Sequence, residues 1–242
     1  MDVTSFINTL DGLLSREDFG GAKEYLYSSL DESVRENNIL SAISVYNEIM
    51  GFERQYGDNA AAVKAACAAI KLLEDAEMSV SRPAAMIYLN SATVYKNAGF
   101  PKRAKELYET AEKLFLRFYN SGDREFAGLY NNMASVYLTP EGYMKAEYYY
   151  TRALSILKRH GDICDTAVTY FNLACLCNMR GNKNESLDYA ESGFAVMDIP
   201  EASRDSYYFY TCRKCAAAAK ELGFDLMYAD FTERARNYYE GH

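Results

Sequence analysis

The chain has 242 residues, of which 49% are hydrophobic and 25% charged, too apolar for a disordered chain and long enough to bury a sizeable core. Lys and Arg number 26 against 34 Asp and Glu, a net charge of −8 with no basic block, which argues against nucleic acid or an anionic membrane as partner. Four Pro and 14 Gly are sparse punctuation for an all-β protein.

The opening residues Met1-Asp2-Val3-Thr4-Ser5-Phe6 carry no basic segment followed by an apolar one, so no secretion signal is expected. The longest near-apolar run, Ala60 to Leu73, is broken by Lys64 and Lys71 and is too short to span a bilayer. The six cysteines, Cys67, Cys164, Cys175, Cys177, Cys212 and Cys215, are therefore expected to be thiols in a reducing cytoplasm.

Taken in chain order, apolar helical stretches end at Gly57, Gly99, Gly142, Gly181 and Gly223, with gaps of 42, 43, 39 and 42. A small residue recurs with them at Ala22, Ala62, Ala104, Ala146 and Ser186, spaced 40, 42, 42 and 40. Tyr88, Ala92 and Tyr95, then Ala104, Tyr108 and Ala111, mark two helix faces at three- and four-residue spacing. Each reappears 42 residues later, at Tyr130, Ala134, Tyr137, Ala146, Tyr150 and Ala153. The pattern predicts six helix–turn–helix repeats, over 1–38, 39–81, 82–123, 124–163, 164–203 and 204–242, forming one all-α domain. Gly99, Gly142 and Gly181 suit a left-handed residue after a first helix. Pro83 and Pro200 mark starts of first helices, Pro101 starts a second helix, and Pro140 ends the first helix of repeat four early. A single hairpin cannot bury its apolar face, so the repeats must stack.

The stretch Tyr88-Leu-Asn-Ser-Ala92-Thr-Val-Tyr95-Lys-Asn-Ala-Gly99, with Ala104, Tyr108 and Ala111, resembles the tetratricopeptide repeat. Leu129-Tyr-Asn-Asn-Met-Ala134-Ser-Val-Tyr137 is similar to the longer form, of roughly 42 residues, found in kinesin light chains. The resemblance covers nearly the whole chain and is fullest in repeats three to five. Repeat two carries Glu53 where the aromatic would stand, and repeats one and six are degenerate. The resemblance implies a right-handed superhelical solenoid of about six hairpins. It further implies a non-enzymatic module or scaffold that binds a protein or peptide along a concave face lined by first helices.

Little in the chain points to catalysis. There is no phosphate-binding loop and no Ser/His/Asp arrangement. His160 closes a second helix, where a polar or cationic side chain suits the dipole, and His242 is the last residue given. Cys175-Leu-Cys177 and Cys212-Arg-Lys-Cys215 have metal-ligand spacing, but both fall inside expected helices, and Cys177 takes the register of Tyr95 and Tyr137. The expectation is packing, with no metal and no cofactor. Most tyrosines occupy packing positions; in the runs Tyr148-Tyr149-Tyr150 and Tyr207-Tyr208 one or two must be exposed.

In the resemblance's register, the inward first-helix positions are candidates for peptide binding. Repeat two supplies Asn47, Gly51 and Arg54. Repeat three supplies Met86, Leu89, Asn90, Thr93, Lys96 and Asn97. Repeat four supplies Asn131, Asn132 and Ser135. Repeat five supplies Phe171, Asn172, Cys175 and Asn178, and repeat six Arg213, Ala217 and Lys220. Asn90, Asn132 and Asn172 share one position, spaced 42 and 40. An amide both donates and accepts, so this ladder serves either a bound peptide backbone or bonds between repeats. Basic residues at the family's carboxylate-clamp positions are missing from repeats two to four apart from Arg54 and Lys96, which argues against such a clamp. Two other readings stand beside the binding module. One is a self-assembling structural protein, joined through apolar ends (Phe6, Ile7, Leu10, Leu13, Leu14; Tyr228, Phe231, Tyr238, Tyr239). The other is a regulatory protein that senses a peptide.

Overall fold

A computed structural model describes residues 2–199 and 204–240. Among the described residues are twelve α-helices and one short 3-10 turn, with no strand. The fold is an all-α helical repeat. The chain forms two compact units, residues 1–120 and 121–242, which are taken separately below.

The N-terminal unit holds α1 (Val3–Ser15), α2 (Phe19–Arg35), α3 (Ile39–Gln55), α4 (Asn59–Asp75), α5 (Arg82–Asn97) and α6 (Pro101–Phe118). The first five start where a short polar side chain covers orphan N–H groups. Asp2, Asp18, Asn38, Asp58 and Ser81 each accept a backbone N–H from the first turn that follows. α6 has no side-chain cap and instead starts on Pro101, whose missing N–H is one of the orphans. Gly99 takes the left-handed conformation after α5, with φ +84°. The same role after α1, α2 and α4 falls to Glu17, Asn37 and Glu77, with φ of 57°, 52° and 55°. Side chains with a Cβ hold those turns at some cost, so glycine spacing reveals only part of the period.

The C-terminal unit holds α7 (Arg124–Ala134), the 3-10 turn Ser135–Tyr137, α8 (Tyr143–His160), α9 (Ile163–Met179), α10 (Lys183–Val196), α11 (Ser206–Leu222) and α12 (Asp225–Glu240). Gly161, Gly181 and Gly223 end helices with φ of 67°, 81° and 77°. Gly142 does not: its φ is −99° and it stands before α8. The expectation of a left-handed residue is corrected there. The α7 segment has already ended in the 3-10 turn, and Thr139-Pro140 carries the chain back, so that a Cβ on Gly142 would collide with the Tyr137 carbonyl. Close approach, not positive φ, requires this glycine. Pro200 lies outside the described residues; α11 starts on Asp205, whose carboxylate accepts the Tyr208 N–H at 3.0 Å.

Packing follows the small-residue register. Ala92, Ala104 and Ala111 are fully buried in the N-terminal unit, as are Ala134, Ala146 and Ala153 in the C-terminal one. In repeat five the approach is close enough for Ser186 Oγ of α10 to donate to the Ala174 carbonyl of α9 at 2.8 Å. A Cβ on Gly193 would stand 3.0 Å from both Phe171 and Tyr170. Tyr88, Tyr108, Tyr130, Tyr137 and Tyr150 fill the wider gaps and are buried; Tyr148 and Tyr207 are the exposed members of their runs. Phe6, Leu10 and Phe231, candidates for a self-assembly face, are buried inside their own units. They offer nothing to a second chain. Tyr238 and Tyr239 have side chains outside the described residues.

Two substitutions test the turns. Gly181→Ala should lower unfolding stability by about 1 kcal/mol, and Glu77→Gly should raise it by up to about 1 kcal/mol, because a Cβ is penalised at positive φ. Urea unfolding monitored by circular dichroism measures both.

Candidate functional site

The candidate residues lie on the first helices of the repeats, and the structure sorts them into three groups. The first is built into the core. Leu89 and Phe171 are buried, and Phe171 packs edge-on to Phe231. Thr93 is buried too: its hydroxyl donates to the Leu89 carbonyl at 3.1 Å and receives Tyr108 Oη at 3.0 Å. Burial pushes the Tyr108 phenol up to about 12, so it remains a donor. Leu89, Thr93 and Phe171 therefore present nothing to a ligand. The register that placed them inward describes a helix face wider than the part left open by neighbouring helices.

The second group joins adjacent first helices. In the N-terminal unit Asn90 Nδ2 of α5 donates to Asn47 Oδ1 of α3 at 2.5 Å. In the C-terminal unit Asn131 Nδ2 of α7 donates to Thr169 Oγ1 of α9 at 2.8 Å, and Thr169 Oγ1 donates on to the Asp165 carbonyl at 2.7 Å. Ser135 is turned back into its own segment and donates to the Asn132 carbonyl at 2.6 Å. A second polar strut crosses the helix starts. Arg124 of α7 pairs with Asp162 and, at 3.4 Å, with Asp165. Tyr207 of α11 donates to Asp165 at 2.5 Å.

The third group remains open. Asn132 and Asn172, from α7 and α9, are half-buried, and their amides make no hydrogen bond among the described residues. Met86 is half-buried, and Asn97, Asn178 and Arg213 are exposed. Lys96, half-buried and engaged within the fold, stands outside this group; burial and then the Arg54 guanidinium hold it below its usual value. Cys175 is half-buried between Asn172 and Asn178 along α9, and burial, then Glu221, pushes its thiol up to about 11.

Two polar groups went unrecognised in the sequence. Glu48, half-buried beside Asn47, takes the register of Asn90 and Asn132, and subtracting the 42-residue period from Asn90 would have found it. Glu53 sits fully buried where other repeats carry an aromatic. It is satisfied by Lys23 Nζ at 2.9 Å and by Tyr27 Oη, which donates at 2.9 Å. Burial, then this bond to Glu53, raises Tyr27 to about 12.

His160 Nε2 lies 2.9 Å from the Gly122 carbonyl, which ties the end of α8 to the loop before α7; His242 lies outside the described residues. Cys177, Cys212 and Cys215 are buried. Burial, then Glu185, pushes Cys177 up to about 12, and burial raises Cys212 to about 11. Among the described residues no three His, Cys, Asp or Glu side chains converge as metal ligands, and no helix is long and apolar enough to cross a membrane.

Residues 125–198 match the profile of the tetratricopeptide repeat. The chain thus carries tetratricopeptide repeats over that segment of its C-terminal unit. Its fold is similar to that of BtubC (BKLC) from P. vanneervenii, with a TM-score of 0.70 and 22% identity, covering 84% of this chain and 85% of that one. It is similar also to the tetratricopeptide-like repeats of a putative kinesin light chain from Podosopora anserina, with a TM-score of 0.58 and 16% identity, covering 79% and 92%. A Signal Transduction ATPase with Numerous Domains from Pyrococcus horikoshii, which has a tetratricopeptide repeat sensor, aligns with 99% of this chain over 37% of its own, at a TM-score of 0.55 and 18% identity. A comparison with curated protein sequences finds no match. Tetratricopeptide-repeat folds generally mediate protein–protein interaction or scaffolding, and such proteins are typically not enzymes.

The sorting of the asparagines has a measurable consequence. Asn90→Ala and Asn131→Ala should each cost about 1 kcal/mol in denaturant unfolding, because each removes one hydrogen bond between helices, to half-buried Asn47 and to buried Thr169 respectively. Asn132→Ala and Asn172→Ala should change stability by less than about 0.5 kcal/mol. The thiols give a second check. At pH 8 the folded chain should react rapidly with Ellman's reagent at Cys67, the exposed thiol, while Cys177, Cys212 and Cys215 wait for unfolding.

Proposed function

We propose that the chain is a non-enzymatic binding module that holds an extended peptide segment of another protein on the faces of its first helices. The observation that carries this reading is the contrast among the asparagines. Asn47, Asn90 and Asn131 are bonded within the fold, whereas Asn132 and Asn172 repeat at one position on adjacent helices with their amides open. Asparagine is a mediocre helix former. Asn172 in the middle of α9 and Asn132 in the last turn of α7, half-buried and with their amides bonded to nothing among the described residues, add no stability that the fold uses. Each amide can donate to a carbonyl and accept from an N–H of an extended chain, which holds a peptide without reading its side chains. Met86, Asn97, Asn178 and Arg213 extend the candidate surface within their own units.

Selection of a displayed random-peptide library on the full chain tests this. The native protein should enrich a set of peptides, and the Asn132→Ala/Asn172→Ala double variant should bind that set about tenfold or more weaker with helicity unchanged. Two lost hydrogen bonds at about 1 kcal/mol each account for that size. Equal binding by the double variant would remove these residues from the site.

A further inference from the structure

The position shared by Asn132 and Asn172 has a third member in the C-terminal unit. α9 and α11 pack against each other, and a step of 42 residues carries one onto the other. Buried Thr169 and Ala174 fall on buried Thr211 and Ala216, and Gly181 falls on Gly223, both at positive φ. The same step carries Asp165 onto Tyr207, and these two touch: Tyr207 Oη donates to Asp165 Oδ1 at 2.5 Å. Asn172 therefore falls on Lys214. The row of open amides on α7 and α9 ends on α11 in a cation.

Ring contacts hold that cation in place. Tyr207, fixed by its bond to α9, stacks on Tyr210, with centroids 6.4 Å apart and planes at 28°. Lys214 Nζ stands 4.6 Å from the centroid of the Tyr210 ring. An ammonium over a ring face keeps its charge and gives up part of its mobility. Lys214 and its sequence neighbour Arg213 are exposed, and neither makes an ion pair among the described residues. The carboxylates on these two helices are engaged elsewhere or distant. Asp165 is taken up by Arg124 and Tyr207, and Glu221 stands two turns beyond Lys214 along α11. In a chain of net charge −8, this end of the first-helix face is left positive.

We infer that the C-terminal unit binds an extended peptide with an Asp or Glu side chain at Lys214, its backbone lying on the Asn132 and Asn172 amides. Packed neighbouring helices stand about 10 Å apart, which an extended chain covers in about three residues. The acidic residue thus lies about three positions beyond the residue held by Asn172. The amides grip the backbone whatever its side chains. The cation sets the register and direction of the peptide and rejects a basic residue at that position, which yields selectivity more than affinity. The inference rests on the peptide-binding reading above and adds the chemistry that this unit selects.

The test uses the full chain and the same random-peptide library, selected on the native protein, on Lys214→Ala and on Lys214→Glu. Lys214 is exposed, and circular dichroism checks that the helices persist; Lys214→Ala serves alone if Lys214→Glu does not fold. Peptides enriched on the native chain should share an acidic residue at one position. Lys214→Glu should bind those peptides about tenfold or more weaker and select Lys or Arg at that position. Lys214→Ala should select no charge there, and added salt should weaken its binding less than that of the native chain. Enriched peptides with no shared acidic position, or selections unchanged by the variants, would overturn this inference while leaving the peptide-binding reading in place. Enrichment of no peptide at all would overturn both.

Discussion

Two helices of a hairpin can approach closely only where both contact faces carry small side chains, and this close approach organises the rest of the structure. Ala92 of α5 with Ala104 and Ala111 of α6, and Ala134 of α7 with Ala146 and Ala153 of α8, are fully buried on helices that pack together in this way. Where the small residue is Ser186, the neighbouring helix is near enough for the hydroxyl to reach the Ala174 carbonyl. Large tyrosines then fill the wider ends of each hairpin. Because interiors are packed to crystal-like density, neither the small nor the large positions can drift, and the pattern returns about every 42 residues. The period that made the repeat readable is the trace of this packing requirement.

Polar groups that face neighbouring helices have to be satisfied in ways that differ from repeat to repeat. Glu53 replaces an aromatic and is accommodated by Lys23 and Tyr27. Asn47 pairs with Asn90, and Asn131 turns to Thr169 rather than to an asparagine. These bonds take up some of the amides that the repeat register presents and leave Asn132 and Asn172 open. The division between internal and open polar groups follows from which neighbour each helix meets, and it separates the proposed binding surface from inter-repeat stitching.

The hairpins were legible in the sequence because small residues and tyrosines recur at fixed spacing. The turns were less so. The left-handed position is filled by glycine at Gly99 and Gly181 but by Glu17, Asn37 and Glu77 elsewhere, so one backbone requirement has several sequence forms. Gly142 was misleading for the opposite reason, since the same residue type there meets a steric demand. On the candidate surface the position shared by Asn90, Asn132 and Asn172 was visible, but its meaning was not. Asn131 and Asn132 are adjacent and chemically identical, about 100° apart around a helix. Only the location of Thr169, 38 residues on, decides which is bonded. Leu89, Thr93 and Phe171 looked equally inward in register and are core residues, because neighbouring helices cover part of that face.

Side-chain amide hydrogen exchange, followed by nuclear magnetic resonance on the asparagine-labelled full chain, tests the central claim most directly. Before ligand is added, the Asn90 and Asn131 amides should exchange slowly, and those of Asn132 and Asn172 should exchange nearly as fast as a free side chain. Addition of a peptide selected on the native protein should slow Asn132 and Asn172 and leave Asn131 as it was. Protection of all four amides in the free protein, or an unchanged Asn132 and Asn172 in the peptide-saturated one, would contradict the account.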